Sequence, residues 1–326
     1  MRSGRHDRFY ARPVARTMTG RIGAQPRRPQ GIRARFEAVT EDSWPHDQEV
    51  EPDTFDELLA LLLHRGATHR VYRGQRNYGC PLVCTLSRAL RKEAQAGGPV
   101  NYELMESMVV DDGFNRHVDE VETRLLRAFM EQAKGLTLPD LPARTDRLAW
   151  WELMQHHGAP TRLLDWTRSP FIGLWFAFSD QGDYDGDAAL WSFDTRQSML
   201  NHPKEGLAAA IPGWDNFLDD RDLQNRLAEK AIADKAPVPL VINPRVAVPR
   251  VIAQQSVLTL IPNIEAPKAI PHFVLKMFST RIRLQSSWKP RVLDLCGNLG
   301  ITRAALFRDL DSIGDALKEN LTMARL

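Results

Sequence analysis

Residues 155–178, QHHGAPTRLLDWTRSPFIGLWFAF, place two histidines, two arginines, an aspartate and a tryptophan directly ahead of an apolar run. This set can hold an anion and move a proton, because guanidinium offers a planar fork to phosphate and imidazole titrates near neutrality. Arg162, Asp165 and Thr167 are costly to bury unpaired, so they must satisfy one another or a ligand. One expectation is an Arg162 to Asp165 pair bracing a turn while Leu163, Leu164 and Trp166 fill the core. The other is a ligand site. His157 falls on a stripe with Trp150 and Leu153 and reads as a hydrogen-bonded core histidine. His156 faces elsewhere and is the candidate for solvent or a ligand.

Two further stretches carry polar groups of the same kind. In VYRGQ, residues 71–75, Arg73 ends a short strand beside Gly74, which lets a ligand approach the backbone closely, and Tyr72 and Gln75 flank it. In IAQQSVLTL, residues 252–260, Gln254 and Gln255 precede a strand. Glutamine orients a partner through its amide and cannot act as a general base. A phosphodiester hydrolase using His156 or His157 with Asp165 ranks last of three readings, behind a nucleotide-using enzyme and a binding module without chemistry. The sequence offers it no acidic cluster for a metal, and no metal is expected.

The elements that must position these groups follow from periodicity and caps. PDTFDELLALLLHRG predicts a helix with Thr54 and Glu57 at capping-box spacing and Gly66 as its stop. THRVYRGQ predicts a strand, and residues 85–95 and 117–134 predict helices. TDRLAWWELMQHHG predicts a helix capped by Thr145 or Asp146 and stopped by Gly158, with both histidines in its last turn. A turn over APTRLLDWT then leads to a buried helix with Ser169 as N-cap and Pro170 at its first position. Strand signals follow at AALWSF, VPLVIN, VLTLI and HFVLKM, and helices close the chain at 287–296, 302–309 and 311–322. No internal repeat occurs. The fold class is α+β, a single domain from about residue 50 to 326.

Composition bounds the rest. The chain has 326 residues, 43% of them hydrophobic, and a formal net charge of +2. No window approaches the roughly 18 apolar residues of a membrane span, so no membrane partner is expected. Three cysteines without paired spacing fit a reducing cytoplasm. Residues 1–40 hold ten arginines against Asp7 and Glu37, so the remaining chain carries about −6. Residues 1–49 read as an Arg-rich flexible tail. The tail has three readings: a nucleic-acid contact through phosphate, a targeting-like segment, or an over-long start with Met18 nearer the true beginning.

Taken together, YRGQ, QHHGAPTRLLDWTRSPFIGLWFAF, NPRVAVPRVIAQQSVLTL and LGITRAALFRDLDSIGDAL resemble the FRG domain family, named for its aromatic-Arg-Gly motif, from about residue 50 to 322. The resemblance implies a bacterial or phage-linked intracellular effector of defence or toxicity. It assigns no reaction. A more distant likeness, to mono-ADP-ribosyltransferases with an Arg, Ser-Thr and Glu triad, implies an ADP-ribosyltransferase-like split mixed sheet flanked by helices, with NAD as substrate. On that likeness Arg73, Thr167 and Gln254 hold the catalytic positions, with glutamine standing where the group has glutamate. Tyr72, Gly74, Gln75, His156, His157, Arg162, Asp165 and Trp166 would then bind the nucleotide. RNA, DNA or protein would be the acceptor. The alternative is a nucleotide-sensing or nucleic-acid-binding module without chemistry.

Overall fold

Short apolar runs that alternate two faces build one seven-stranded mixed sheet. The computed structural model describes residues 49–64, 69–80, 82–95, 113–136, 141–179, 184–195, 220–236, 239–244, 249–264, 279–309, 312 and 314. The strands are β1 (Glu49–Val50), β2 (Arg70–Gln75), β3 (Leu163–Thr167), β4 (Ala188–Asp194), β5 (Leu240–Ile242), β6 (Ser256–Leu260) and β7 (Ser279–Leu284), in the order β1-β7-β4-β2-β3-β6-β5. β1 runs parallel to β7, and every other pairing is antiparallel. β2 and β4 pair over six residues, whereas β2 and β3 are joined through one register pair, Tyr72 opposite Thr167.

The helices are α1 (Phe55–Leu62), α2 (Thr85–Gln95), α3 (Gly113–Ala133), α4 (Arg147–His156), α5 (Pro170–Phe178), α6 (Arg221–Ala233), α7 (Pro249–Ala253), α8 (Lys289–Asn298) and α9 (Arg303–Phe307). Caps form where the sequence places them: Thr54 Oγ1 accepts from Glu57 N, Asp146 from Ala149 N and Ser169 from Ile172 N. The Glu57 carboxylate returns to the Asp53 N–H, one residue before the N-cap. Gly158 ends α4 with φ +76, and Ala159 N donates back to Met154 O. Among the described residues no helix is long and apolar enough to cross a membrane.

The sheet is covered on both faces. One face packs Val71, Leu164, Trp166, Trp191 and Phe193 against Leu86, Leu90 and Val118 of α2 and α3. The opposite face carries two separate cores. Tyr72, Leu190, Ile282 and Leu284 meet Ile172 and Leu174 of α5 and Val292 of α8. Leu163, Leu258 and Leu260 meet Leu148, Trp151 and Met154 of α4 and Leu227 of α6. The two cores adjoin where β2 meets β3.

Several expectations are corrected. APTRLLDWT is not a turn, because Leu163–Thr167 forms β3 in the middle of the sheet. Residues three apart in extended chain point to opposite faces, so Arg162 and Asp165 cannot brace each other. His157 is exposed, since α4 ends at His156 and the stripe that packs is Leu148, Trp151 and Met154. β7, α6 and α7 arise where no element was expected, and 302–309 yields only the short α9. Of the Arg-rich tail expected over 1–49, Glu49 pairs with Arg281 in β1 and residues 1–48 lie outside the described residues, as do Gly66, the HFVLKM strand at 272–277 and all of 311–322 except Ser312 and Gly314.

Candidate functional site

A cavity of about 290 Å³ opens where the cover of the sheet parts between β2 and β3. β2 brings Tyr72, Arg73 and Gly74, β3 brings Asp165, Trp166 and Thr167, and β6 brings Ser256 and Leu258. The end of α4 adds Glu152, Gln155 and His156, while α7 and the turn after it add Arg250, Val251 and Gln254. Phe176 of α5 supplies an aromatic wall.

Arg73 closes the gap between the strands. Its Nη1 donates to the Asp165 carbonyl at 2.8 Å and lies 3.9 Å from the Asp165 carboxylate. Burial pulls its pKa below the ordinary arginine value, Asp165 opposes that shift and Arg88 adds to it. Asp165 is held in turn by Gln155, whose Nε2 donates to Oδ2 at 2.7 Å. The Gln155 amide is oriented because its oxygen accepts from Thr161 Oγ1. Asp165 thus presents a carboxylate that is 57% exposed yet fixed in direction. Glu152 is buried and neutralised by Arg221 at 2.7 Å.

His156 lines the cavity with an imidazole pulled below the usual histidine value by burial, with Arg250 and His157 acting in the same direction and Asp165 against it. Burial also lowers the Arg250 pKa, against the pull of Asp165 and Asp309. Tyr72 is the reverse case, a phenol pushed up to about 12 by burial. Thr167 is buried, accepts from Ser169 N at 3.1 Å, and stands opposite Ser256 in register, so two hydroxyls sit side by side. The Gln254 Nε2 is buried beside the cavity without a hydrogen-bond partner among the described residues.

The structure brings together Tyr72, Arg73, Gly74, His156, Asp165, Trp166, Thr167 and Gln254 of the expected site residues. Gln75, His157 and Arg162 do not line the cavity. Gln75 accepts from Trp191 Nε1 at 2.7 Å, and Arg162 is buried against Glu122 of α3. Gly74 serves a second purpose: a Cβ there would collide with the Gly173 carbonyl and the Ala177 amide, so the close approach it permits is that of α5. Glu152, Gln155, Phe176, Arg250 and Ser256 were missed in the sequence. Arg250 had one signal, its place in the NPRVAVPRVIAQQSVLTL stretch four residues before Gln254, and in the structure Gln254 N donates back to Arg250 O at 2.9 Å.

Among the described residues no group of three His, Cys, Asp or Glu side chains stands ready to hold a metal. What converges is two arginines, aromatic side chains, amides, hydroxyls and one fixed carboxylate, a set of groups able to hold an anion. No curated protein and no solved structure matches the chain. A model of the FRG domain family matches residues 68–186, which takes in β2, the end of α4, β3 and α5, whereas Arg250, Gln254 and Ser256 lie beyond the matched span. The match contains both stretches that meet across the cavity, VYRGQ and the segment from Gln155 to Phe178: the chain carries an FRG domain over residues 68–186.

Proposed function

We propose that the cavity is a nucleotide site that takes NAD, in a protein of ADP-ribosyl type acting as an intracellular effector in bacterial or phage defence. Arg73 holds phosphate or ribose, and Gln254 orients the nicotinamide ribose or the acceptor. The observation that supports this reading is the meeting of VYRG, LLDWT and IAQQSV around one cavity, carried by β2, by β3 and by β6 with the turn before it. Thr167, the residue the likeness takes for its hydroxyl element, pairs in register with Ser256, which adds a second hydroxyl-bearing residue beside it. A volume of about 290 Å³ is at the low end for ligand cavities and suits one half of a dinucleotide.

The test is single-turnover nicotinamide release from NAD beside calorimetric NAD affinity, with RNA, DNA and protein acceptors supplied. Arg73→Lys keeps charge but loses the fork, and should weaken NAD about tenfold or more. Gln254→Ala should reduce turnover much more than affinity, because an orienting group contributes mainly in the transition state. A wild-type protein that neither binds NAD nor releases nicotinamide overturns the reading. One observation favours a second reading, binding without chemistry: Gln254 offers an amide where a transferase needs a carboxylate. On that reading NAD binds and no nicotinamide is released.

A further inference from the structure

Arg250 lies within the NPRVAVPRVIAQQSVLTL stretch, which assigns it no role, and it is the second cation of the cavity beside Arg73. It stands on α7 and, among the described residues, makes no hydrogen bond and no ion pair. Its guanidinium lies over the Phe307 ring, 4.4 Å from the centroid. Phe307 is itself lodged against Trp175 and Phe176, at 6.3 and 6.2 Å between ring centroids, and Arg303 lies over the same ring at 5.3 Å. Stacking uses the flat face of a guanidinium and leaves its five N–H donors, which lie in its plane, open to a ligand. Arg73, on β2, uses Nη1 on the Asp165 carbonyl, and its Nε and Nη2 make no hydrogen bond among the described residues. With Glu152 neutralised by Arg221, two guanidinium groups face the cavity against the single carboxylate of Asp165.

We propose that Arg73 and Arg250 grip the two phosphates of a diphosphate-bearing ligand, one from β2 and one from α7, and that the C-terminal segment 302–307 holds Arg250 in place through the Phe307 stack. The assignment rests on the nucleotide reading of the cavity and narrows it to diphosphates. One arginine suffices for a monophosphate. Two arginines on separate elements around one cavity, Arg250 without an ion pair among the described residues and Arg73 in only a long 3.9 Å pairing with the Asp165 carboxylate, match two adjacent phosphates and leave Asp165 for a ribose hydroxyl. The same arrangement accounts for the ITRAALF stretch, whose Phe307 touches α5 and α7 at once but does not line the cavity.

The experiment is calorimetry on the full chain with inorganic pyrophosphate, NAD and nicotinamide riboside, for wild type, Arg250→Gln, Phe307→Leu and Phe307→Tyr, with thermal midpoints confirming that each variant is folded. Wild type should bind pyrophosphate and NAD and bind the riboside much more weakly. Arg250→Gln should weaken both phosphate ligands about tenfold or more. Phe307→Leu should weaken them about threefold, and Phe307→Tyr, which keeps the ring face, should restore them. NAD binding that is indifferent to Arg250→Gln, or riboside binding as tight as NAD, overturns the diphosphate grip and leaves the NAD reading standing. Pyrophosphate binding that depends on Arg250, without NAD binding, supports the grip and overturns NAD as the ligand. Binding of neither overturns both, and an Arg250 effect without a Phe307→Leu effect overturns the role given to the stack.

Discussion

His156 gives the cavity a pH dependence of definite sign. Its imidazole is held below the ordinary value by burial and by Arg250 and His157, with Asp165 opposing, so it is neutral at pH 7 before a ligand enters. A phosphate placed beside it favours the charged form and raises its pKa, so nucleotide binding should take up a proton and tighten as pH falls from 7 toward about 5.5. In the free protein the sign is opposite: the unfolded chain binds this proton first, so stability falls as pH drops below roughly 6.5. Calorimetry in buffers of different ionisation enthalpy measures the uptake, and His156→Gln should abolish it; proton release on binding would refute the placement. Arg162 shows the other fate of a polar group in the same stretch. It is 1% exposed, with its Nε and Nη2 on the Glu122 carboxylate at 2.8 and 2.7 Å and its Nη1 on the Pro262 carbonyl at 2.9 Å. Arg162→Ala leaves Glu122 buried without its main partner and should cost about 3–5 kcal/mol in urea unfolding. Arg162→Met with Glu122→Leu should recover much of that loss, and a single substitution that costs under about 1 kcal/mol would contradict the buried pair.

At the scale of elements, β2 and α5 interlock through glycines. A Cβ on Gly74 would meet the α5 backbone, and one on Gly173 would stand 2.7 Å from Leu190 Cδ1 and 3.1 Å from Tyr72 Cβ. Gly74→Ala must therefore push α5 off the sheet, because the obstacle is main chain and cannot rotate away. We expect a loss of more than about 3 kcal/mol, or no folded protein, while Gly297→Ala, with open space around it, should be nearly neutral. Equal midpoints for the two variants in chemical unfolding would disprove the interlock. α1, α4 and α5 were legible because caps and apolar spacing are local signals. β3 was not, since LLDWT is five residues with an aspartate at its centre, and nothing nearby records that β2 and β6 will flank it. β7 was hidden differently. STRIRL reads as polar, yet Arg281 lies over Tyr78 and Trp191, at 4.1 and 5.5 Å, and Arg283 lies 5.2 Å over Tyr78, so the arginines act as cover for aromatic rings. The eight site residues brought together were legible through motif resemblance, whereas Arg250 depends on Phe307, a ring 57 positions later that no local pattern connects to it.

For the described molecule as a whole, the cavity lies at a structural seam. On one face of the sheet the cover divides into a core under α5 and α8 and a second under α4 and α6, and the backbone joins the two halves through the single pair Tyr72 and Thr167. Arg73 and Asp165 complete the join from opposite sides of that gap. A ligand held by Arg73 from one half and by Thr167 and Ser256 from the other would bridge the seam, so it binds the closed native arrangement and has no counterpart in the unfolded chain. Mass action then sets the size of the effect: at about a hundred times Kd the stabilisation is roughly 2.7 kcal/mol, which for a domain of this length shifts the thermal midpoint by about 4–5 °C. Wild type heated with saturating NAD or ADP should show that rise. Arg73→Lys, about tenfold weaker, should show roughly half that rise at the same ligand concentration, although its midpoint without ligand stays close to wild type, because the lysine keeps the charge near Asp165. A midpoint that does not move with any diphosphate nucleotide, in a protein whose calorimetric Kd lies well below the concentration used, would mean that the unfolded chain binds the ligand as tightly as the native one, which a site assembled across the seam excludes.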